Sequence, residues 1–283
     1  MKKLLATLGP SGTFSETAAT IGRALLSDGT DYQIKYFRSL RLTCDAIPDD
    51  CSIGVVPLEN SLAGYVPEVL DKLAEGQITI VGQISLQVAF SLVSRTSAMD
   101  EIDCVYVQHM ASLQCSKLIE NLEVPVIYVE SNSAALEMLL QDKTGKRAGA
   151  IVSTLALDGL SRERGGFTLR VDKILDASES ITRFAMIAEK NSSVTFLRSG
   201  DSLSSSAIIC PLVNSAGVLE QILKPFSKRS INLSSIISRT GAAAGQGLYF
   251  FVHFDSDVGL VAALEDLSEV AKVYHFPLYQ CFF

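Results

Sequence analysis

The stretch from Lys3 to Leu26, KLLATLGPSGTFSETAATIGRALL, carries the local pattern that decides the fold. Its first six residues, Lys3 to Leu8, have the apolar character of a strand, and Gly9-Pro10-Ser11-Gly12 then breaks the run. From Ser15 to Leu26 the apolar residues recur at helical spacing, which predicts an amphipathic helix. A strand, a glycine-rich turn and a helix in that order are typical of an α/β protein.

The same alternation continues through the first 190 residues. Further strands are predicted at 52–57, 78–81, 86–93, 124–129, 148–152 and 182–188. Further helices are predicted at 67–73, 110–121 and 134–141. Short strands separated by helices extend the α/β assignment to this whole part of the chain.

The composition changes over residues 191–205, which are polar and rich in serine and are interpreted as a linker. Beyond it, the pattern predicts strand, helix, strand, strand, helix and strand at 207–212, 218–227, 233–239, 247–255, 259–270 and 273–276. This β-α-β-β-α-β order is ferredoxin-like. So small a unit leaves sheet edges open, so we expect it to pair with a second copy.

Charge and hydropathy exclude several classes of protein. The chain of 283 residues is 48% hydrophobic and has a net charge of −7, which argues against disorder and, without a basic patch, against nucleic-acid binding. The apolar run from Leu4 to Leu8 is too short for a signal peptide, and no run reaches the ~18 residues of a membrane helix. We therefore predict a cytoplasmic protein that associates with neither nucleic acid nor membrane.

Cysteine and histidine are scattered rather than clustered. The six cysteines form no CxxC pair, so they are interpreted as buried or free thiols of a reducing compartment: Cys44, Cys51, Cys104, Cys115, Cys210 and Cys281. The three histidines, His109, His253 and His275, lie far apart and form no ligand motif. The sequence therefore predicts no metal and no cofactor.

Two polar loops follow predicted strands. In Gly9 to Glu16 the glycines permit a tight turn, and Thr13 with Glu16 has the spacing of a capping box. The loop is either only a capped turn or a place where backbone N–H groups and Thr13 receive a carboxylate. The second loop, Glu59-Asn60-Ser61, offers neutral donors and acceptors at the carboxyl end of a strand, where open α/β sheets bind ligands.

Thr182-Arg183-Phe184 begins a buried-looking strand. Because side chains alternate along a strand, Thr182 and Phe184 share one face and Arg183 takes the other, unless the strand starts with a bulge. Arg183 either binds a ligand or forms an ion pair between two elements. The segment 130–135, ESNSAA, is interpreted as a helix N-cap that alternatively lines a cleft.

Three segments in series resemble the prephenate dehydratase family: GPSGTFSETAA at 9–19, GVVPLENSLAGYV at 54–66 and ITRFAMIAE at 181–189. QCSKLI at 114–119 and ESNSAALE at 130–137 are also similar to segments of that family. Residues 217–219 and 231–234 resemble the ACT regulatory domain that follows the catalytic part. Since no chorismate mutase segment precedes them, the monofunctional form is expected.

The resemblance implies a catalytic part over 1–190, built of two α/β lobes like a periplasmic binding protein with the active site in the cleft, then the linker 191–205 and an ACT domain over 206–283. It implies that Thr182 is the main catalytic residue. It further implies substrate binding by Thr13, Asn60, Ser61, Arg183 and Phe184. The ACT domain would bind L-phenylalanine at the interface of a homodimer or homotetramer and inhibit the enzyme, through Gly217, Val218, Leu219, Asn232, Leu233, Ser238 and Arg239.

Several positions depart from the family pattern. The histidine of its Ser-His-Pro-Gln segment falls on Gln108, although His109 is adjacent. The asparagine two residues before the TRF segment is here Ser180. In the ACT part, Glu-Ser-Arg-Pro becomes Ile237-Ser238-Arg239-Thr240, which leads us to expect a weaker response to phenylalanine.

The reaction implied by the resemblance suits neutral donors. Prephenate loses CO₂ and its ring hydroxyl to give phenylpyruvate, and the barrier lies in the departure of hydroxide, to which Thr182 is predicted to donate. A cation held on the departing carboxylate would retard its loss. The alternatives are a relative acting on arogenate, one that decarboxylates prephenate without dehydrating it, or a non-catalytic amino-acid sensor.

Overall fold

The computed structural model describes residues 3–141, 147–158, 166–192, 194–241, 247–254 and 258–283. The strands are β1 Lys3–Leu8, β2 Tyr32–Phe37, β3 Ile53–Asn60, β4 Gly64–Tyr65, β5 Ile78–Gln87, β6 Phe90–Ser94, β7 Cys104–Gln108, β8 Val126–Val129, β9 Ala148–Ser153, β10 Leu169–Asp172, β11 Ile181–Glu189, β12 Ser202–Pro211, β13 Leu233–Thr240, β14 Leu248–Phe254 and β15 Ala271–Phe282. The helices are α1 Phe14–Leu25, α2 Leu40–Asp49, α3 Pro67–Ala74, α4 His109–Gln114, α5 Ser116–Leu122, α6 Asn132–Gln141, α7 Thr154–Asp158, α8 Val218–Lys228 and α9 Leu260–Glu265.

These strands form two sheets. The larger runs in the order β13-β14-β12-β15-β5-β11-β3-β1-β2, with β4 attached to β3, and the smaller runs β10-β6-β9-β7-β8. The chain leaves the larger sheet between β5 and β6 and returns to it between β10 and β11. Two crossings therefore join two lobes, as the predicted α/β architecture with a cleft requires.

Packing explains the elements that the sequence predicted. The strand predicted from Lys3 to Leu8 is confirmed, and α1 buries Ala18, Ala19 and Leu25 on one face of the larger sheet. Helices α2 and α3 pack on its other face. Six of these elements went unpredicted: β2, α2, β4, β7, α7 and β10. In β2, α2 and β10 the apolar residues are few and interrupted by charge.

The last part has the predicted strand-helix-strand-strand-helix-strand order, β12-α8-β13-β14-α9-β15. Its final strand is much longer than the predicted 273–276, because its end also pairs in parallel with β5, Gln280 to Phe282 against Gly82 to Ile84. One core consequently includes α2 and α3 together with residues of β12, β14 and β15. The two parts share a sheet and a core.

The serine-rich segment is also more ordered than its composition indicates. Strand β12 begins at Ser202, inside the stretch interpreted as a linker. Three consecutive buried serines each bond a polar ring on a neighbouring strand: Ser204 to His253, Ser205 to His275 and Ser206 to Tyr279. These partners, distant in sequence, let hydroxyl groups lie inside the sheet.

Candidate active site

The hydroxyl of Thr182 lies where β11 meets the carboxyl end of β3. The two strands pair antiparallel with Thr182 opposite Asn60, and Asn60 Nδ2 donates to Thr182 Oγ1 over 2.9 Å. The same nitrogen also donates to Ser180 Oγ at 3.1 Å. The structure thus brings together two of the predicted site residues, Thr182 and Asn60, and adds Ser180.

The orientation of the Asn60 amide follows from its other contacts. Its Oδ1 accepts from the backbone N–H groups of Leu62 and Ala63, both at 3.0 Å. With the carbonyl end committed to these donors, the NH₂ end must face Thr182. Thr182 Oγ1 is therefore an acceptor toward Asn60, and its own proton is directed elsewhere.

Ser61 fixes the residues just before Thr182. Its backbone N–H donates to the carbonyl of Ile181 at 2.9 Å, and its hydroxyl accepts from the N–H of Ile181 at 3.0 Å. As an acceptor in that bond, the hydroxyl keeps its proton for another partner. Ser61 itself is exposed, so it is accessible to a ligand.

Arg183 and Phe184 point away from each other. Arg183 Nη1 forms an ion pair with Glu59 on β3, and its side chain is 47% exposed. The ring of Phe184 is only 2% exposed and packs in the core beneath α1, so it supports the strand from within. A bulge in β11 would have broken the alternation of its side chains. The bulge lies on the partner strand β3 instead, where the register shifts opposite Arg183 and Phe184.

The loop from Gly9 to Glu16 is filled by its own residues. Thr13 caps α1 by accepting from Glu16 N at 3.4 Å, and its hydroxyl donates to the carbonyl of Pro10 at 3.0 Å. The Glu16 carboxylate accepts from Gly12 N–H at 2.6 Å, from the Ser11 hydroxyl at 2.8 Å and from the Tyr36 hydroxyl. Burial acts to raise the pKa of Glu16, but these hydrogen bonds outweigh it and the pKa is lowered.

The small lobe, which is built on the smaller sheet, contacts the Gly9–Glu16 loop from the opposite side. Ser131 caps α6 through Ala134 N, as predicted, and Ser133 Oγ donates to the carbonyl of Ser11 at 3.0 Å. A Cβ on Gly12, whose φ is +81°, would lie 2.6 Å from Ser133 Oγ, so the glycine permits this approach. Phe14 and Phe90 also stack edge to face across the two lobes, 5.9 Å between ring centroids.

Other small-lobe residues singled out from the sequence have local roles. The Gln108 side chain caps α4 by accepting from Ala111 N, while the exposed His109 packs on the Tyr128 ring. Two buried acceptors, Gln114 Oε1 and Asn132 Oδ1, have no hydrogen-bond partner among the described residues. The two family-like segments at 114–119 and 130–137 therefore each hold a polar atom that no described residue satisfies.

The predicted effector residues divide between the two ends of the β13 strand. Gly217, in the left-handed conformation at the start of α8, and Ser238 lie toward the carboxyl end of β12, whereas Asn232 and Leu233 lie at the opposite end. The side chain of Val218 is buried and that of Leu219 is 41% exposed. No single end of one copy collects the whole set.

Arg239, which was predicted to bind the effector, forms an ion pair with the catalytic part instead. Its Nε and Nη2 donate to Asp71 on α3 at 3.1 and 3.0 Å, and the Tyr249 hydroxyl bonds the same carboxylate. Burial acts to raise the pKa of Asp71, but the bonds from Arg239 and Tyr249 leave it lowered. Ile237 packs against the shared core on the same face of β13.

The described residues contain no group of histidine, cysteine and acidic side chains that could hold a metal ion, and no helix among them is long and apolar enough to cross a membrane. All six cysteines are free and buried, as predicted. Burial raises the pKa of the Cys44 and Cys115 thiols to about 12, which makes them poor nucleophiles.

Comparisons with known proteins agree with this geometry. The Prephenate dehydratase family model matches residues 5–192. The prephenate dehydratase of Bacillus subtilis is 29% identical, covering 97% of this chain and 98% of its own. The bifunctional chorismate mutase/prephenate dehydratase of Aquifex aeolicus is also 29% identical, covering 94% of this chain and 70% of its own length.

Solved structures give the same picture. The prephenate dehydratase of Staphylococcus aureus has a TM-score of 0.75 at 28% identity, covering 98% of this chain and all of that one (100%). The Arthrobacter aurescens prephenate dehydratase in complex with L-Phe has a TM-score of 0.79 at 23% identity, over 98% and 90% of the two chains. GqqA, a quorum quenching acylase, shares the fold with a TM-score of 0.73 at 21% identity over 99% and 98%, so the fold alone does not fix the reaction.

The family model spans the loop from Gly9 to Glu16, the Asn60–Ser61 loop and the Thr182 strand, and the last two meet at the junction of β3 and β11. On this evidence the chain belongs to the prephenate dehydratase family.

Proposed function

We propose that the chain converts prephenate to phenylpyruvate and that the Thr182 hydroxyl donates to the leaving ring hydroxyl. One observation carries this assignment: Asn60 Nδ2 donates to Thr182 Oγ1 at 2.9 Å, while Asn60 Oδ1 is held by two backbone N–H groups. A threonine hydroxyl that already accepts a hydrogen bond has its proton available for a ligand.

The polar groups at the junction suit the chemistry. The C–C bond to the ring carboxylate breaks to release CO₂, its electron pair enters the ring, and the C–O bond breaks to release hydroxide, which takes up one proton to leave as water. Asn60, Ser61, Ser180 and Thr182 are neutral, and the positive charge of Arg183 is balanced by Glu59. Such a site assists the departing hydroxide without holding back the departing carboxylate.

Arg183 is the cation nearest this cluster in sequence and is proposed to bind the pyruvyl carboxylate. Its contact with Glu59 uses one hydrogen on Nη1, out of the five N–H donors of a guanidinium. The remaining donors can form the paired bonds that a carboxylate prefers. Thr13, in contrast, has both functions of its hydroxyl used by capping, so we propose that it shapes the loop beside the substrate.

Incubation of the purified chain with prephenate and, separately, with arogenate tests the assignment. We expect phenylpyruvate from prephenate and no phenylalanine from arogenate, with Thr182→Ala as the control of strongly reduced activity. Phenylalanine formed from arogenate would reassign the substrate, and a decarboxylated product that keeps its hydroxyl would remove the role of Thr182. Binding without any product would overturn the enzymatic assignment in favour of a sensor.

We also propose that the β12–β15 unit is an ACT domain that binds L-phenylalanine between two copies. Strand β13 is an edge of the large sheet, and edge strands pair readily. A two-fold axis that pairs two β13 strands antiparallel would bring Asn232 of one copy beside Gly217 and Ser238 of the other. This arrangement unites the two halves of the predicted effector site in a homodimer, or in a homotetramer of two such pairs.

The response to phenylalanine is proposed to be weak. Ile237 supplies no charge to offset the desolvation of an ammonium group, and Thr240 leaves the chain more flexible than proline would. Two contacts give any signal a direct route to the catalytic part. Arg239 on β13 donates to Asp71 on α3. The ring of Tyr65, beside the Asn60 loop, packs on the ring of Phe251 with 5.1 Å between centroids.

Titration of phenylalanine against activity, with calorimetric binding in parallel because the chain has no tryptophan, tests this part. We expect binding and inhibition only well above micromolar concentration. Strong inhibition at micromolar phenylalanine would contradict the roles given to Ile237 and Thr240. Sedimentation measured with and without phenylalanine tests the paired state, and a monomer under both conditions would overturn it.

A cytoplasmic location is proposed from the thiols. Six free cysteines, all buried, suit a compartment that keeps thiols reduced. Fractionation of the native host, with the chain recovered outside the cytoplasm, would contradict it.

A further inference from the structure

We propose that Ser180 is a positioning residue: it orients the Asn60 amide, and through that amide the hydroxyl of Thr182. This inference rests on the proposed function and assigns a role to a side chain that the sequence left without one.

The geometry makes Ser180 the fourth partner of one amide. Asn60 Oδ1 accepts from Leu62 N and Ala63 N at 3.0 Å, and Nδ2 donates to Thr182 Oγ1 at 2.9 Å and to Ser180 Oγ at 3.1 Å. An asparagine side chain has two donor hydrogens, and these two bonds use both. Without Ser180, one of them has no partner.

Ser180 is itself held in place. The residue is completely buried, with 0% of its surface exposed, and its carbonyl accepts from Val88 N at 2.7 Å. The next residue, Ile181, exchanges two bonds with Ser61, N–H to Oγ and C=O to N–H, at 3.0 and 2.9 Å. The Ser180 oxygen is therefore a fixed acceptor and not a mobile surface group.

Loss of that oxygen has a definite consequence. An N–H of the half-buried Asn60 that faces the buried position 180 without an acceptor is unfavourable, so the amide would turn or admit water to satisfy it. Either change alters the bond to Thr182 Oγ1 and hence the direction of the Thr182 proton. Small misplacements of a reacting group lower rates strongly, while substrate binding through other groups is retained.

Three substitutions at position 180 distinguish the effect of losing the acceptor oxygen from the effect of changing the side-chain volume. Ser180→Ala removes the acceptor, Ser180→Cys keeps the approximate size with a poor acceptor, and Ser180→Thr keeps the oxygen. We expect kcat to fall about 10- to 100-fold in the Ala and Cys variants, with KM changed less than about twofold, and to recover in the Thr variant. Ser206→Ala is the matched control, because Ser206 is equally buried and its hydroxyl bonds Tyr279 at 3.0 Å, in the β12–β15 unit.

A double-mutant cycle distinguishes positioning from general damage. In the Thr182→Ala background, Ser180→Ala should lower the residual rate no further, because its effect passes through the missing hydroxyl. A purely structural serine would lower the melting temperature in both backgrounds and leave the kcat of the folded fraction unchanged, as we expect for Ser206→Ala.

Two results would overturn the inference: a wild-type kcat in both Ser180→Ala and Ser180→Cys, or full additivity with Thr182→Ala. Failure of the proposed function itself is recognised separately, since the wild-type chain would then form no phenylpyruvate from prephenate.

Discussion

The loops that follow β1 and β3 lie at the ends of neighbouring parallel strands, and both are rich in hydroxyl and amide groups. In the first, the donors of Ser11 and Gly12 are satisfied by the carboxylate of Glu16, five and four residues away. In the second, Asn60 accepts two hydrogen bonds and donates two, and the proton of Thr182 is left without an acceptor among the residues that the structure describes. A polar loop at a strand end becomes a reactive site only where some hydrogen-bonding capacity is left for a ligand.

The largest effect expected from this contrast is at Thr182. Thr182→Ala should lower kcat by about 10²–10⁴-fold, the usual loss for an acid or donor at a leaving group, with little change in KM or melting temperature. Thr182→Ser should keep far more activity because the hydroxyl remains. Steady-state kinetics with prephenate measures both, and an alanine variant with a third of the activity would refute the assignment.

Asn60→Asp reverses one bond without changing the size of the side chain. The carboxylate can still accept from Leu62 N and Ala63 N, but it cannot donate to Thr182, so the threonine proton would turn toward it. Because the Thr182 proton would then no longer reach the leaving hydroxyl, we expect kcat to fall on the order of 10²-fold. A kcat near wild type would show that the direction of the Thr182 proton does not matter.

Arg183→Lys tests whether the ion pair beside the site also serves the substrate. If Arg183 binds the pyruvyl carboxylate, we expect KM to rise about tenfold, because the bidentate guanidinium contact is lost. The melting temperature should hardly change, since a pair with a half-exposed arginine contributes about 0–1 kcal/mol. In the companion variant Glu59→Gln, KM should stay the same or fall. A lower melting temperature with unchanged KM in Arg183→Lys would make the pair structural.

Thr13→Ala tests the Gly9–Glu16 loop, in which the hydrogen-bond donors are satisfied by the loop's own residues. We expect the free energy of unfolding to fall by about 1 kcal/mol from loss of the α1 cap, with KM unchanged. Ser39→Ala is the control, because Ser39 caps α2 in the same way through Leu42 N at 3.3 Å. A large rise in KM without loss of stability, seen only for Thr13, would return this residue to substrate binding.

The smallest effect concerns the serine-rich strand β12 and its partner His275. Burial lowers the pKa of His275 below its usual value of 6.5, so the folded chain favours the neutral ring that bonds Ser205. Its contribution to stability is therefore complete above pH 6.5 and is lost as the pH falls through the lowered pKa. The drop in melting temperature between pH values on either side of 6.5 should be smaller in His275→Gln than in wild type or in the exposed control His109→Gln. Equal drops in all three would remove His275 as a cause.

The site could be predicted from the sequence only in part. Thr182 and Asn60 stood out because each follows or begins a strongly apolar strand within a family segment, and the structure joins them by one hydrogen bond. Ser180 was noticed merely as a departure, since nothing local reveals that its oxygen meets an amide 120 residues earlier in the chain. The pairing of Arg183 with Glu59 and the burial of Phe184 likewise depend on the strands placed beside β11.

The sequence by itself determined the elements whose pattern is local: the strand from Lys3 to Leu8, the helix capped by Thr13, and the strand-helix-strand-strand-helix-strand order of the last part. Apolar periodicity and helix caps involve residues that are close in sequence, so they can be recognised without knowledge of the fold. Only the tertiary structure decided that the serines of β12 lie inside a sheet, that β15 extends to pair with β5, and that the Gly9–Glu16 loop is closed by its own carboxylate. Polar groups are stable in a protein interior when a partner is supplied, and in the first two cases the partners come from distant strands that only folding brings near.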